Sequence, residues 1–382
     1  MTAGPDGNVD AHRASWSRLA CPETGVGLRA RALAELESQL PRGHRLEAPS
    51  GRGYQPVGPT PQVLARDASD IAAYPVRDGI PVLLLPELLV PDGHTRHVDI
   101  SDPRYAEAYA EMDYYSRTAE SEARTISTSH ITRHLKPLVN LSDASRAAFP
   151  QPIDRWLDAS HELLAQWDAF LFLRPVARTR VLQIGGRGTQ AVKMLLAGAA
   201  EAWLVSPMLG ELAFGIALAA QCGVGERFQA VGAVAEALPF KDGTFDIVYL
   251  QGSLHHTMTE LALPESHRVL RSGGKFAAVE PWRGPLYGLG TRLLGKRDKN
   301  VHCRVLTAAR VEPHMAIFSN ARIVHHGAVT RYAIIALSKL GVRFGRRTTW
   351  RITRLDDAIA SRLPRLRRTG SSVAIMGTRA PE

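Results

Sequence analysis

Cysteine is scarce in this chain of 382 residues: Cys21, Cys222 and Cys303 stand far apart and are odd in number. They exclude a disulfide framework and a four-cysteine metal site, and they fit a reducing cytoplasm. Long apolar runs are missing too. The first residues hold no apolar signal core, and no uninterrupted apolar stretch approaches the roughly 20 residues needed to cross a bilayer. A cytoplasmic protein without a membrane partner is therefore expected.

Acid is in short supply relative to base, giving a formal net charge of +10. The densest basic stretch holds Arg343, Arg346, Arg347, Arg351 and Arg354, then Arg362, Arg365, Arg367 and Arg368. These arginines alternate with apolar residues and with Asp356 and Asp357, and they lack the aromatic platforms on which single-stranded nucleic acids stack. A solvated helical face accounts for them, and nucleic acid is not expected as a partner. An anionic substrate or carrier protein is the other reading of the patch.

With 45% hydrophobic residues the chain has ample material for a core, and roughly 150 residues per domain implies two or three units. The clearest order begins at Arg180–Ile184, a short apolar run that enters Gly185-Gly186-Arg187-Gly188-Thr189 and then an Ala/Leu-rich helical stretch, 191–200. Further strands are expected at 202–205, 228–231 and 245–250, with a helix over 209–222. Strands alternating with helices imply a parallel, doubly wound sheet. Glycines at the first turn let a backbone approach a ligand closely, and the helix behind them offers unpaired N–H groups.

Four blocks follow in order: Ala235-Glu236-Ala237-Leu238-Pro239-Phe240, Asp242-Gly243-Thr244-Phe245-Asp246, Gly252-Ser253-Leu254-His255-His256, and Leu270-Arg271-Ser272-Gly273-Gly274-Lys275 leading to Ala278-Val279-Glu280-Pro281. Together with the glycine turn, they resemble the class I S-adenosylmethionine-dependent methyltransferases. The resemblance covers about a hundred residues. It implies S-adenosylmethionine lying across the carboxyl ends of the first strands, where open α/β sheets bind ligands. It also exposes departures. Where the family places acids, this chain has Gln183 before the glycine turn, Ser206 after the second strand and Val234 two residues before Glu236; Arg187 stands where glycine is preferred. Gln183, Gly185, Gly186, Gly188 and Ser206 are the implied cofactor positions, with Glu211 or Glu236 reaching inward to replace a lost carboxylate.

A second resemblance lies in the first hundred residues. Leu19-Ala20-Cys21-Pro22-Glu23-Thr24-Gly25, and later Tyr74-Pro75-Val76-Arg77-Asp78-Gly79-Ile80-Pro81-Val82-Leu83-Leu84, are similar to a small zinc-ribbon-derived domain known as an activator of methyltransferases. Thr24 stands where metal-bearing relatives have a second cysteine, so no metal is expected. Asp78-Gly79 reads as a hairpin turn between strands at 73–77 and 80–85, and residues 40–67, rich in Gly, Pro and Arg, as a long loop. Between 102 and 172 the chain is helical in character. In many methyltransferases a tyrosine ahead of the core closes over the cofactor, which points to Tyr114 or Tyr115.

Chemistry falls to groups at the strand ends. Methyl transfer is a displacement at an already activated sulfonium, so the protein aligns the acceptor and excludes water, and a base serves only where the acceptor must lose a proton. His255, His256 and Glu280 are the catalytic candidates, histidine being suited to proton transfer near neutrality. Trp282, Arg283 and Tyr287 suit a substrate-facing loop, Arg283 as a partner for carboxylate or phosphate. His302 and Cys303 lie beyond.

The sequence thus specifies an α/β protein: a Rossmann-like class I methyltransferase sheet with helices on both faces (173–382), a small β-rich N-terminal domain (1–98) and a helical connector or lid (99–172). The expected function is methylation of a small molecule of specialised metabolism, anionic or carrier-bound, with homo-oligomerisation open. The alternatives are a fold diverted to a non-methylating displacement such as ring closure, and a pseudo-methyltransferase that regulates a partner.

Overall fold

The structure is a computed structural model that describes residues 16–47, 62–66, 71–91, 102–105, 115–116, 118–119, 123, 163–284, 304–342, 344 and 346–381. Its N-terminal unit is an antiparallel sheet of β1 (Leu28–Ala32), β3 (Gln62–Arg66), β4 (Ala73–Arg77) and β5 (Ile80–Pro81), in the order β1-β3-β4-β5. Helix α1 (Leu33–Glu37) follows β1, and a short pair joins β2 (Leu46–Glu47) to β6 (Val90–Pro91). Asp78 and Gly79 both take positive φ, +49° and +77°, the geometry of a two-residue hairpin whose twist matches its strands. Residues 62–66 correct the expectation of a loop over 40–67. They form β3, an inner strand with Val63, Leu64 and Ala65 buried between β4 and β1, the latter about thirty positions upstream. Local Gly/Pro composition yields there to pairing that only the tertiary fold supplies.

The main sheet has seven strands in the order β12-β13-β11-β10-β7-β8-β9. They are β7 (Arg180–Ile184), β8 (Glu201–Ser206), β9 (Phe228–Gly232), β10 (Phe245–Gln251), β11 (Leu270–Pro281), β12 (Ser319–His326) and β13 (Ser372–Thr378). β7 to β11 run parallel, whereas β13 is antiparallel to β11 and to β12. The expected Rossmann-like class is what the molecule shows.

The strands are apolar on both sides, as a sheet buried between helices requires. Leu182 and Ile184 of β7, Trp203 and Val205 of β8, and Val248 and Leu250 of β10 face one core; Val181, Leu204, Ile247 and Tyr249 face the other. Helices α2 (Leu163–Leu173), α3 (Thr189–Leu196) and α4 (Leu209–Gln221) cover the second core. Helices α5 (Thr259–Val269) and α6 (Ala308–Met315) cover the first, together with Leu19, Cys21, Leu64 and Tyr74 of the N-terminal unit. Three further helices, α7 (Thr330–Lys339), α8 (Arg346–Arg362) and α9 (Pro364–Arg367), lie between β12 and β13 in sequence.

The N-terminal unit also continues the main sheet. Leu83 N–H donates to the Gly232 carbonyl at 2.6 Å, so the segment after β5 covers the outer edge of β9. Cys21 is buried and its sulfur lies 3.2 Å from the Tyr74 hydroxyl. Among the described residues no group of three or more His, Cys, Asp or Glu side chains is placed to hold a metal, and no helix is long and apolar enough to cross a membrane.

Candidate active site

β7 sits where the chain order reverses, with β8 and β9 on one side and β10 and β11 on the other. Such a switch point opens a crevice above the carboxyl ends of the strands. A cleft occupies that place, holding ≈ 800 Å³ of empty space with its open mouth included.

One wall is the glycine turn. Gly185, Gly186 and Gly188 all have positive φ, between +71° and +77°, which side-chain-bearing residues rarely adopt. Close packing adds a second constraint, because a Cβ on Gly185 would stand 2.5 Å from that of Ser253. Gln183, one of the expected cofactor contacts, is committed to bracing this turn. Its amide nitrogen donates to the Gly185 carbonyl at 2.9 Å, and its oxygen accepts the Ala191 N–H at 2.8 Å, tying strand, turn and α3 together. Gly185 and Gly186 line the cleft, while Gln183 and Gly188 lie behind it. Arg187 also stays out of the lining, its guanidinium resting 5.5 Å from the Phe214 ring on α4.

The second wall brings a carboxylate back. Ser206, at the end of β8, is fully buried; its hydroxyl donates to Glu211 at 2.9 Å and accepts the Met208 N–H at 3.1 Å. Glu211 belongs to the first turn of α4, is 6% exposed, and lines the cleft. A carboxylate thus reaches the cleft from five residues beyond the strand end, where α4 begins and its dipole favours negative charge. Glu236 also lines the cleft and accepts the Met258 N–H at 2.9 Å. Between the two acids lies an apolar slot of Val205, Met208, Ala233, Val234 and Ala235. Sequence reasoning missed this slot, for which the apolar residues flanking Glu236 were the available signal. Its outer side is packed by Val82, Leu84 and Leu85 of the N-terminal unit and by Tyr105. Tyr115 joins this cluster and lines the cleft, and Gly210 N–H donates to the neighbouring Ser116 hydroxyl at 3.4 Å.

The floor at the β10 end carries the histidines. Glu280 is fully buried at the end of β11. One of its oxygens accepts the N–H groups of Ser253 and Leu254 at 3.0 and 2.9 Å, and the other meets His255 Nδ1 at 2.6 Å. His255 is buried, and its ring lies against that of His256, tilted by 40° with centroids 3.9 Å apart. Of the three catalytic candidates, His256 alone lines the cleft; His255 and Glu280 form the layer that holds it. Trp282 lies against a separate groove with His325, at a centroid distance of 5.1 Å, and Arg283 is exposed beside it. Tyr114, Tyr287, His302 and Cys303 lie outside the described residues.

These residues fit S-adenosylmethionine. The apolar slot suits a planar adenine, the anchored Glu211 suits ribose hydroxyls, and the glycine turn leaves backbone within reach of the amino-acid end. Val234 supplies no side-chain acceptor to the adenine amino group.

Comparison with known proteins bears on the same segment of the chain. Residues 182–278 match a family described as a methyltransferase domain. A malonyl-[acyl-carrier protein] O-methyltransferase of Geobacter sulfurreducens is 32% identical over 126 residues, covering 32% of this chain and 44% of that protein. A sarcosine/dimethylglycine N-methyltransferase of Halorhodospira halochloris is 45% identical over 60 residues, 15% of this chain and 22% of that one. The chain thus spans less than half the length of these relatives. Among solved structures, the geranyl diphosphate C-methyltransferase of Streptomyces coelicolor, in complex with Mg2+, geranyl diphosphate and S-adenosyl-L-homocysteine, superposes with a TM-score of 0.44 at 15% identity over 57% of this chain and 78% of that one. Motif order, strand order and family match converge on one conclusion: residues 182–278 form a methyltransferase domain of the class I, S-adenosylmethionine-dependent type.

Proposed function

We propose that the chain transfers a methyl group from S-adenosylmethionine to a small-molecule acceptor. The observation that carries this reading is the Glu211 carboxylate, held by the Ser206 hydroxyl and aimed into the cleft beside the left-handed glycine turn. When bound, S-adenosylmethionine supplies a methyl group already activated on a sulfonium. The chain's own residues hold it and shape the space around the acceptor. Glu211 takes the ribose, Gly185 and Gly186 admit the amino-acid end, and Tyr115 with the apolar slot keeps water from the adenosyl body.

His256 is the base for an acceptor that must lose a proton. Its ring is fixed from below by His255, which Glu280 locks through one oxygen while the other oxygen pins the loop backbone at Ser253 and Leu254. A buried carboxylate that orients a histidine in this way sets tautomer and ring plane together. The acceptor belongs to specialised metabolism, either as a free anion or bound to a carrier, in keeping with the excess of arginine.

Calorimetric titration with S-adenosylmethionine and S-adenosylhomocysteine, followed by mass spectrometry of a panel of acids, amines and phenols, tests the reading. Binding and a product 14 mass units heavier, about one methylene, are expected. The His256→Ala variant loses about 10²–10⁴-fold in kcat with the cofactor Kd unchanged. Absence of binding overturns the proposal, and binding without methylated product points instead to a non-methylating displacement on the same fold.

A further inference from the structure

Apart from Trp350, half-buried against Trp167, and the half-buried Ile352, helix α8 turns small and polar side chains inward and aliphatic ones outward. A surface helix of a globular domain buries its large apolar residues and presents polar ones to water. The buried stripe of α8 is instead Thr349, Thr353, Asp356 and Ala360. Its outward stripe carries Leu355 at 60% and Ile359 at 43%, with Leu363 at 53% just beyond the helix. These three follow one another at four-residue spacing and so form a ridge.

The same outward face is cationic. Arg351, Arg354 and Arg362 are exposed along it, and Arg365 and Arg368 follow on and after α9. Over residues 330–370 the sequence has ten arginines and one lysine against two acids, Asp356 and Asp357. Asp356 is turned inward, and Asp357 lies half-buried at the edge of that face, within the influence of Arg354 and Arg367. Asp356 is 1% exposed and accepts the Val329 N–H at 3.1 Å, and Asp357 meets His326 Nδ1 at 3.1 Å. Helix α7, which packs beside α8, contains no carboxylate, and Leu340 just after it is 79% exposed.

A ridge of aliphatic side chains flanked by arginines, with half-buried Asp357 at its edge and no fully exposed carboxylate on it among the described residues, matches a surface where phosphate lies over hydrocarbon. A second copy of this chain fits poorly, since a two-fold contact through α8 would set arginine against arginine. We propose that the outward face of α8 seats the protein on an anionic phospholipid bilayer, Leu355 and Ile359 entering the acyl boundary and Arg351 and Arg362 meeting the phosphates. This is peripheral contact. It departs from the expectation that no membrane takes part, which rested on the lack of a spanning segment. It is independent of the methyl-transfer reading.

The test is co-sedimentation of the full chain with vesicles of phosphatidylcholine alone or of equal parts phosphatidylcholine and phosphatidylglycerol. Pelleting with the anionic vesicles only, diminished by high salt, is expected. The Leu355→Ser/Ile359→Ser variant weakens partitioning about tenfold or more per residue. The Arg351→Gln/Arg362→Gln variant weakens it about thirtyfold. Both substitutions lie on an exposed face, so the thermal midpoint without vesicles stays at the native value. The proposal is overturned by absence of binding to anionic vesicles, by equal binding to neutral ones, or by native binding of both variants. It is overturned equally if the native chain self-associates without lipid and Leu355→Ser/Ile359→Ser abolishes that association, or if an acidic protein competes the chain off this face while vesicles do not bind.

Discussion

Replacing Glu211 by glutamine removes one charge and leaves the outline of the cleft unchanged. The Ser206 hydroxyl, whose oxygen already accepts the Met208 N–H, has its proton committed to position 211. In the Glu211→Gln variant that proton takes the amide oxygen and turns the NH2 group into the cleft, where the ribose hydroxyls need an acceptor. A carboxylate that receives two hydroxyl hydrogen bonds contributes about 3–6 kcal/mol, and an amide that keeps one neutral bond about 1 kcal/mol. The difference of about 2–5 kcal/mol corresponds to a Kd for S-adenosylhomocysteine roughly 30- to 5000-fold weaker. Ser206→Ala, which only releases the carboxylate from its anchor, weakens binding about fivefold. Isothermal titration reads both values, and thermal unfolding without ligand shows that the fold is intact. A Kd for Glu211→Gln within about threefold of native would refute the reasoning and reduce Glu211 to a residue that merely favours the start of α4.

Two further predictions concern pH and rest on stability. Glu87 is 1% exposed; burial raises its pKa to about 7 while Arg77, 3.8 Å away, pulls it down. Because its folded pKa lies above the unfolded value, ionisation destabilises the fold as pH rises from about 4.5 to 7, so Glu87→Gln gains roughly 2–3 kcal/mol in urea melts at pH 8 and little at pH 4. An unchanged midpoint at pH 8 would sink this. His326 is buried with Nε2 on Asp168 at 2.8 Å and Nδ1 on Asp357 at 3.1 Å; burial lowers its pKa, and the two carboxylates outweigh burial and hold it above the usual histidine value. Its contribution is complete below about pH 6.5 and fades as pH climbs through the raised pKa, so the stability lost in His326→Asn is largest in acid and shrinks toward alkaline pH. A loss that grows with pH contradicts the assignment.

The succession of strands from Arg180 to Glu280 was legible because each is an apolar run closed by glycine or polar residues, and a buried parallel sheet demands that pattern. The glycine turn was equally plain. What escaped was whatever depends on two distant segments meeting. Residues 62–66 read as loop because Gly and Pro crowd the stretch before them and one of their two partners, β1, lies about thirty positions upstream. Position drew attention to Ser206 and Gln183, but their partners were hidden: one anchors Glu211 and the other braces the turn. The His255–Glu280 contact spans 25 residues, and the His326–Asp168 contact spans 158, so no motif spacing announces either. Arg351, Arg354 and Arg362 of α8 are exposed, but the burial of Thr349, Thr353 and Asp356 on the opposite face depends on packing that no local window shows.

The apolar slot of the cleft has its outer lining drawn from the segment that follows the Asp78–Gly79 hairpin, more than ninety positions upstream of the glycine turn. A guest molecule therefore clamps two parts of the chain at once, and occupancy of the crevice and integrity of the amino-terminal sheet become thermodynamically linked. Proteases that nick the molecule around residues 71–91 should be slowed by saturating ligand, even though no cleavage point touches it.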